Sequence, residues 1–344
     1  MKNTVKNTLR RSILLVALTI SFALAARTPV MGQAVNVDAA KKEGRVVVYG
    51  SVPPQAMADF HKGFESKHGI KVDYWRADST KVSERALTEW RAGKPGFDVV
   101  EGNRGVQLIM KQEGLFTKFI PPASEKFPAQ MKEKDGLITP WRVLPISILY
   151  NTDMVKPADL PKSFDDLLQP KWTNKIVMPD PTRHTTTAQF LWNLEKFKKD
   201  KWLDLVRGLA KQKPVLVDSL APVTTAVIKG EGAVGITYIK YVKQYKGPVH
   251  YVHMDKYLAD PNYMSVGAKA SNPNAAKLYV DYACSPEGQK HIAEDGEFVL
   301  APGVLPPIKD AEKVQPNIIL MDNPSAEEFK KLMSGTFREI FYAK

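Results

Sequence analysis

Apolar positions recur with two alternating periods from Arg45 onward, and this alternation predicts a series of strands and helices. The run RVVVYGS is typical of a buried strand, and the next stretch places Met57, Phe60 and Phe64 on one face of a helix that ends at Gly69. The same order repeats in IKVDYW, STKVSERALTEWRAG, FDVVEGN and RGVQLIMKQEGLF. It predicts a mostly parallel sheet that helices cover on both faces.

An extended apolar stretch, WRVLPISILYNTDMV (141–155), interrupts this rhythm, and a second series of strands and helices follows it. KIVMP, PVLVDS and AVGITY are predicted strands, and helices are predicted at SFDDLLQP, from about Thr185, and at PVTTAVIKG. The run that begins at Ser163 has the form of a capping box. Residues 248–270 are rich in strand formers and are expected to return the chain to the first series.

Two α/β lobes joined by two crossings, with a ligand cleft between them, are therefore expected. We predict that residues 35–141 and 263–310 form lobe 1 and that residues 142–262 form lobe 2. Residues 311–344 are predicted to form a C-terminal helical segment that packs on the lobes. A capping box begins this segment at Ser325. Its apolar face consists of Phe329, Leu332, Met333, Phe337 and Ile340.

Residues 1–34 have the form of a secretory signal peptide, with a basic start, a short apolar run and small residues at possible cleavage points. They carry five basic residues and no acid, so cleavage would lower the formal charge from +12 to +7. The remaining basic residues are scattered among acids, which argues against a nucleic-acid partner. An uncleaved membrane anchor is the alternative, but the apolar run is short for a membrane span. The mature protein is expected to be exported and soluble.

The sequence also lacks the patterns of common catalytic and metal sites. Its one cysteine, Cys284, excludes an internal disulfide and a multi-cysteine metal site, and we expect a buried, inert thiol. The motifs G-x-S-x-G, H-E-x-x-H and G-x-x-x-x-G-K-[ST] are absent from the sequence, and the six histidines lack metal-ligand spacing. We expect neither an enzyme nor a cofactor. Glu101, Glu231 and Glu297 each lie beside glycine, as pocket acids or turn residues.

A cluster of polar residues separates the strand KIVMP from the following helix. The start of a helix favours an anion, the threonines 185–187 can add hydroxyl donors, and Arg183 can form two parallel hydrogen bonds with a carboxylate or phosphate. The alternative is that a threonine only caps the helix while Arg183 and His184 face solvent. Ser219 and Thr224 repeat this arrangement, with a strand that ends where a helix begins.

Three stretches of the sequence resemble one known family. LPKSFDDLLQPKWTNKIVMPDP, IKGEGAVGITY and AAKLYVDYACSPEGQKHIAEDGEF, together with ILYNTDMV, resemble the bacterial extracellular solute-binding proteins of ABC importers, in the branch that includes ferric-iron-binding proteins. The similarity runs in order from about residue 45 to 310. It implies a two-lobed, flytrap-like fold of the periplasmic-binding-protein type II class, and a binding site in the interlobe cleft.

The chain departs from the ferric branch at the positions that the resemblance makes iron ligands. That branch has two adjacent tyrosines, whereas here Tyr238 and Tyr241 lie three apart, so they would converge only if a turn followed the strand. The first-lobe histidine is replaced in the stretch 50–53, and the acidic position lies near Asn103, with Glu101 two residues earlier. A ferric site would therefore use Tyr238, Tyr241 and Glu101. Otherwise we expect no bound metal.

The combined expectation is a monomeric periplasmic protein that binds a small anionic solute, phosphorylated or carboxylated, between its lobes. An ABC permease and an ATPase in the inner membrane are the expected partners. The alternatives are a ferric iron-binding importer subunit, an enzyme on the same fold, and a ligand-sensing partner of a membrane receptor. Trp141 and Arg142, at the crossing, are secondary candidates for the site. The predicted ligand-binding residues are Ser51, Asn103, Arg183, His184, Thr185, Ser219, Thr224 and Tyr238.

Overall fold

The structure is a computed structural model that describes residues 34–342. The predicted signal peptide lies almost wholly outside these residues. The strands within them are β1 (Arg45–Gly50), β2 (Lys71–Arg76), β3 (Val99–Asn103), β4 (Thr139–Asn151), β5 (Ile176–Pro179), β6 (Val215–Val217), β7 (Val234–Tyr238), β8 (Val249–Tyr251), β9 (Tyr257–Val266), β10 (Phe298–Val299) and β11 (Ile318–Leu320). None of the helices within residues 34–342 is both long and apolar enough to cross a bilayer.

The helices lie mainly between the strands, as the alternating pattern predicted. They are α1 (Val37–Glu43), α2 (Pro54–His68), α3 (Ser79–Arg91), α4 (Arg104–Gln112), α5 (Thr185–Asn193), α6 (Glu195–Lys198), α7 (Trp202–Lys211), α8 (Leu220–Lys229), α9 (Tyr241–Gln244), α10 (Pro273–Cys284), α11 (Pro286–Ala293), α12 (Ala311–Val314), α13 (Ala326–Lys331) and α14 (Phe337–Tyr342). Short 3-10 turns fill several connections, and a π-helical turn over Leu332–Thr336 joins α13 to α14.

The sheet contains two groups of parallel strands that meet at two long strands. Its order is β2-β1-β3-β9-β4-β7-β5-β6, with β1, β2 and β3 parallel to one another and β5, β6 and β7 likewise. β4 is antiparallel to both β9 and β7, and it pairs with β9 as far as Pro145 and with β7 from Ile146. Because β9 is also antiparallel to β3, the carboxyl ends of β3 and β7 point toward each other across β4 and β9.

Local sequence signals account for several helix ends. Gly69 ends α2 in the left-handed conformation with φ of 68°, and Met57, Phe60 and Phe64 are the buried face of that helix, as predicted. Ser285 caps α11 by accepting a hydrogen bond from the backbone of Gly288, with proline at the first helical position. Ser325 begins α13 in the same way.

The predicted capping box at Ser163 is wrong. The structure has only a 3-10 turn over Asp165–Leu168, and Phe164 stands at its cap position without a side-chain hydrogen bond. Asp166 instead accepts from the backbone nitrogen of Lys162 at 2.7 Å. A second 3-10 turn starts at Pro170, which cannot continue a helix by donating a backbone hydrogen bond.

Candidate ligand-binding site

A cavity of about 180 Å³ lies where the carboxyl ends of β1, β3 and β7 approach the middle of β4 and β9. The strand register explains its lining, because Asn262 of β9 is opposite Asn103 of β3 on one side and Arg142 of β4 on the other. Polar side chains dominate the walls. The lining residues are Ser51, Val52, Pro53, Ser79, Asn103, Arg142, Leu144, Thr186, Tyr238, Lys240, Asp260, Asn262 and Glu297.

Four helices of nine residues or more begin at this cavity. Pro53 precedes α2, Ser79 is the first residue of α3, Asn103 precedes α4, and Thr186 is the second residue of α5. The first turn of a helix has unpaired backbone N–H groups and carries the positive end of the helix dipole. The arrangement therefore favours negative charge inside the cavity.

A buried arginine forms the charged centre of the floor. Arg142, at 4% exposure, donates to Glu297 Oε2 at 3.0 Å, Glu101 Oε1 at 3.1 Å and Asn262 Oδ1 at 3.1 Å. Burial opposes its charge, but Glu297 and Glu101 outweigh burial and raise the pKa of Arg142. Ser51 in turn donates from its backbone and its hydroxyl to Glu101 Oε2 at 2.7 and 2.9 Å.

Lys240 provides the second cation of the floor. Its Nζ donates to Glu297 Oε1 at 2.7 Å, so this carboxylate is held by two cations. Burial would raise the pKa of Glu297, but Arg142 and Lys240 lower it below its ordinary value. The charges of Arg142 and Lys240 are therefore matched by those of Glu101 and Glu297.

Asp260 is the third carboxyl group at the cavity, and its negative charge is not matched by a cation in this way. It is 4% exposed, and Tyr238 donates to its Oδ2 at 3.2 Å. Burial is the largest cause that raises the pKa of Asp260 to about 6. Two donors of the lining, Arg142 Nε and Asn262 Nδ2, are also buried without a hydrogen-bond partner in residues 34–342. A buried polar atom of this kind is costly unless a ligand or water pairs with it.

Three of the predicted ligand residues, Ser51, Asn103 and Tyr238, line the cavity. Ser51 follows β1 directly. The side chain of Asn103 accepts from the backbone of Val106 at 3.2 Å and so caps α4. Tyr238 is the last residue of β7. Their roles in ligand binding remain predictions, but the structure brings them together.

The predicted residues at the start of α5 do not line the cavity described here. Arg183 has 76% of its side chain exposed, with its Nε 3.7 Å from Asp180. His184 caps α5, since its Nδ1 accepts from the backbone of Thr187 at 3.2 Å, and burial lowers its pKa to about 4. Thr185 is exposed, whereas the neighbouring Thr186 reaches the cavity.

Ser219 and Thr224 also lie outside this lining. Ser219 stands at the cap of α8 without a side-chain cap bond. Thr224 is fully buried in α8, and its hydroxyl has no partner within residues 34–342. α8 packs against β7 and β5, so the side chain of Thr224 faces the core. Their ligand roles stay predictions.

Sequence reasoning missed several residues of the lining. Asp260 and Asn262 lie two apart in the buried strand YLADPNYMSV, and two polar residues on one face of an apolar strand are a detectable signal. Lys240 lies two residues after the end of β7 and was not among the predicted site residues. Thr186 was considered among the threonines 185–187, but Thr185 was predicted as the ligand residue because the sequence did not reveal that His184 is the cap of α5.

Tyr238 and Tyr241 come together because the strand does not continue between them. β7 ends at Tyr238 and α9 begins at Tyr241, and their ring centroids are 5.9 Å apart. The turn that convergence required is therefore present. Burial raises the pKa of both phenols above the ordinary value. Lys240 lies between them, with its Nζ 5.8 and 5.5 Å from the two ring centroids.

A family model described as bacterial extracellular solute-binding protein matches residues 94–316. The match covers more than half of the chain and contains β4, β7, β9 and most of the cavity lining. The chain belongs to the bacterial extracellular solute-binding proteins. The predicted family is therefore confirmed.

Relatives of this solute-binding protein agree with that assignment. A probable ABC transporter periplasmic-binding protein of Sinorhizobium fredii, y4fP, is 28% identical over 130 residues, which are 38% of this chain and only 36% of that protein. Iron-bound HitA from Pseudomonas aeruginosa has a TM-score of 0.71 at 20% identity, covering 85% of this chain and 99% of HitA.

A third similar structure is the periplasmic binding protein AfuA from Actinobacillus pleuropneumoniae, with exogenous fructose-6-phosphate bound. Its TM-score is 0.64 at 22% identity, and the match covers 87% of this chain and 96% of AfuA. At such identities the likeness shows the fold. The solute-binding protein has the two-lobed, mixed α/β type II fold of periplasmic binding proteins, as predicted.

Proposed function

We propose that this solute-binding protein captures a small anionic solute, phosphorylated or carboxylated, for an ABC importer. The observation that carries the proposal is the convergence of four helix starts on one cavity. Helix starts present N–H groups and partial positive charge to an anion. Arg142 Nε and Asn262 Nδ2 supply two further buried donors without partners in residues 34–342.

The size of the cavity supports a small solute. Its volume of about 180 Å³ equals that of roughly six water molecules in the liquid. Pockets for drug-sized ligands measure roughly 300–1,000 Å³. A short chain with one phosphate or carboxylate group suits this volume better than a large anion.

The proposed setting is the periplasm, where the protein acts as a monomer and hands its solute to a permease and an ATPase of the inner membrane. We propose that residues 35–141 with 263–310 form one lobe, that residues 142–262 form the other, and that 311–344 pack on them. The register of β4 supports a change of lobe along this strand. A ligand in contact with both lobes favours their closed arrangement.

Two adjacent threonines provide a matched test. Thr186→Val removes a hydroxyl at the cavity, and Thr185→Val makes the same change one residue away on an exposed position. Loss of a hydrogen bond to a charged group costs about 1.5 kcal/mol or more, so Thr186→Val is expected to weaken binding of ethyl phosphate about tenfold. Isothermal titration calorimetry measures both variants.

Thr185→Val is expected to bind within about twofold of wild type. If both substitutions weaken binding equally, the anion lies elsewhere on the start of α5. If neither changes the affinity, the start of α5 is not part of the binding site. Failure of ethyl phosphate, inorganic phosphate, fructose 6-phosphate and propionate to bind wild type would overturn the anionic solute.

Ferric iron is the second candidate cargo, because Tyr238 and Tyr241 approach each other and Asp260 adjoins Tyr238. Lys240 argues against it, since a cation near both rings repels Fe(III). Iron ligation by phenolate gives a visible absorption band. If iron is the cargo, adding Fe(III)-citrate produces this band and Tyr238→Phe abolishes it. A colourless protein that still binds ethyl phosphate would exclude iron as the cargo.

A further inference from the structure

Asp260 differs from the other two carboxylates beneath the cavity in the partners it has. Glu101 and Glu297 contact Arg142 at 3.1 and 3.0 Å, and Glu297 also contacts Lys240. Asp260 accepts one hydrogen bond from the neutral Tyr238, and within residues 34–342 no cation lies in ion-pair contact with it. An ionised carboxylate has about four lone-pair sites, so most of its accepting capacity is unused.

We infer that the solute is a small zwitterion whose ammonium group pairs with Asp260 while its anionic group lies at the helix starts. The inference rests on the proposed function and names the class of solute for the same cavity. The side chain is 4% exposed and lines the cavity, so a ligand donor can reach it.

The balance of charge favours an ammonium group over a second anion. The charged groups around Asp260 are Arg142 and Lys240, which are positive, and Glu101 and Glu297, which are negative. These four cancel, and Tyr238 and Tyr241 remain neutral because burial raises the pKa of both. An ionised Asp260 therefore leaves one unmatched negative charge. A buried carboxylate is costly unless it is paired, and a ligand cation supplies the pair.

The positions of the polar groups match a ligand with two different ends. Asp260 of β9 accepts from Tyr238 at the end of β7, whereas Ser79 and Asn103 stand at the starts of α3 and α4. The lining thus offers a carboxylate acceptor as well as backbone donors at positive helix ends. The volume of about 180 Å³ limits the separation of the two ligand charges to a few bonds.

Matched pairs of ligands test this inference. β-Alanine differs from propionate by one ammonium group, and O-phosphoethanolamine differs from ethyl phosphate in the same way. The readout is the ratio of affinities within each pair, measured by calorimetry with the full protein at pH 7.5. We expect the ammonium group to improve affinity at least tenfold in wild type and by less than about threefold in Asp260→Asn.

Asp204→Asn is the matched control, because this aspartate is 72% exposed and pairs only with Arg207 at the surface. It removes the same charge and is expected to keep the wild-type ratio. 3-Hydroxypropionate carries a hydroxyl group where β-alanine carries an ammonium group, so it distinguishes a charged donor from a neutral one. If it binds as well as β-alanine, the solute class is a hydroxylated anion and the inference is overturned.

The pH dependence gives a second test that needs no variant. β-Alanine stays a zwitterion between pH 5 and 7.5. Propionate is partly protonated at pH 5, so its affinity there is expressed per ionised propionate. Because the pKa of Asp260 is raised to about 6, its charge is lost across this interval. The advantage of β-alanine over propionate should therefore shrink about tenfold at pH 5. A constant ratio would overturn the role of Asp260.

The outcomes separate this inference from the proposed function. If ethyl phosphate and propionate bind wild type and the ammonium group adds nothing, the zwitterion is wrong and the anion site stands. If the ammonium group still improves affinity at least tenfold in Asp260→Asn, Asp260 is not the group that pairs with it. If no member of either pair binds, the inference fails, and if inorganic phosphate and fructose 6-phosphate also fail to bind, the anion site fails with it.

Discussion

At the scale of single residues, the buried carboxylate of Asp260 at the cavity lowers the free energy of unfolding. Its pKa is raised to about 6 in the folded protein, with burial as the largest cause, against about 3.9 in an unfolded chain. Between these values the folded state binds the proton more tightly, so stability falls as the pH rises. The loss is complete above about pH 6 and amounts to about 3 kcal/mol.

Asp260→Asn should remove this dependence. We predict that the free energy of unfolding of the variant, relative to wild type, is about 2 kcal/mol larger at pH 7.5 than at pH 4, because the amide never ionises. Urea unfolding followed by circular dichroism at both values measures the difference. Asp204→Asn, at the surface, should follow wild type. A relative stability of Asp260→Asn that does not change with pH would mean that folding does not raise the pKa of the carboxyl.

Glu297 shows the opposite behaviour with the same chemistry. Arg142 and Lys240 hold its pKa below the ordinary value, so it contributes stability that is present above the unfolded pKa and is lost as the pH falls. The pKa values of two buried carboxyl groups at one cavity are thus shifted in opposite directions. The difference lies in the charged neighbours of each acid. Arg142 lies more than 50 positions from both Asp260 and Glu297 in the sequence, so local sequence does not show which acid it contacts.

At the scale of elements, periodicity predicted most helices and strands, because apolar residues at helical or alternate spacing must face a core. α2 and α3 have buried residues that the pattern indicated, and β4 and β9 are strands within the two stretches that we predicted as crossings. The failures occurred where a single position decides the geometry. At the start of α5, a shift of one residue turns a side chain by about 100°, which separates Thr185 from Thr186.

The same reasoning explains which part of the site could be predicted. Residues at strand ends, such as Ser51, Asn103 and Tyr238, follow from the rule that ligands bind beyond the carboxyl ends of parallel strands. Asp260 and Asn262 lie in the middle of an antiparallel strand, so this rule does not reach them. Their place in the cavity depends on the register with β3 and β4, which local sequence does not encode.

At the scale of the whole molecule, the cavity takes residues from both groups of parallel strands. β3 contributes Asn103, β7 contributes Tyr238, and between them β4 and β9 contribute Arg142 and Asp260. Hydrophobic clusters surround the site on each side, one built on β1 and β3 and another on β5 and β7. A ligand in this position bridges the two groups, so its binding energy should stabilise both.

We predict that a bound ligand raises the midpoint of one cooperative thermal transition. A ligand at 100 times its dissociation constant adds about 2.7 kcal/mol, which corresponds to a shift of roughly 5 °C for a chain of this size. Scanning calorimetry with the tightest-binding probe of the panel measures it, and Thr186→Val at the same ligand concentration should show about half the shift, because a tenfold weaker affinity subtracts about 1.4 kcal/mol. Two separate transitions, of which the ligand moves only one, would show instead that the solute binds within a single lobe and that Asn103 and Tyr238 do not share it.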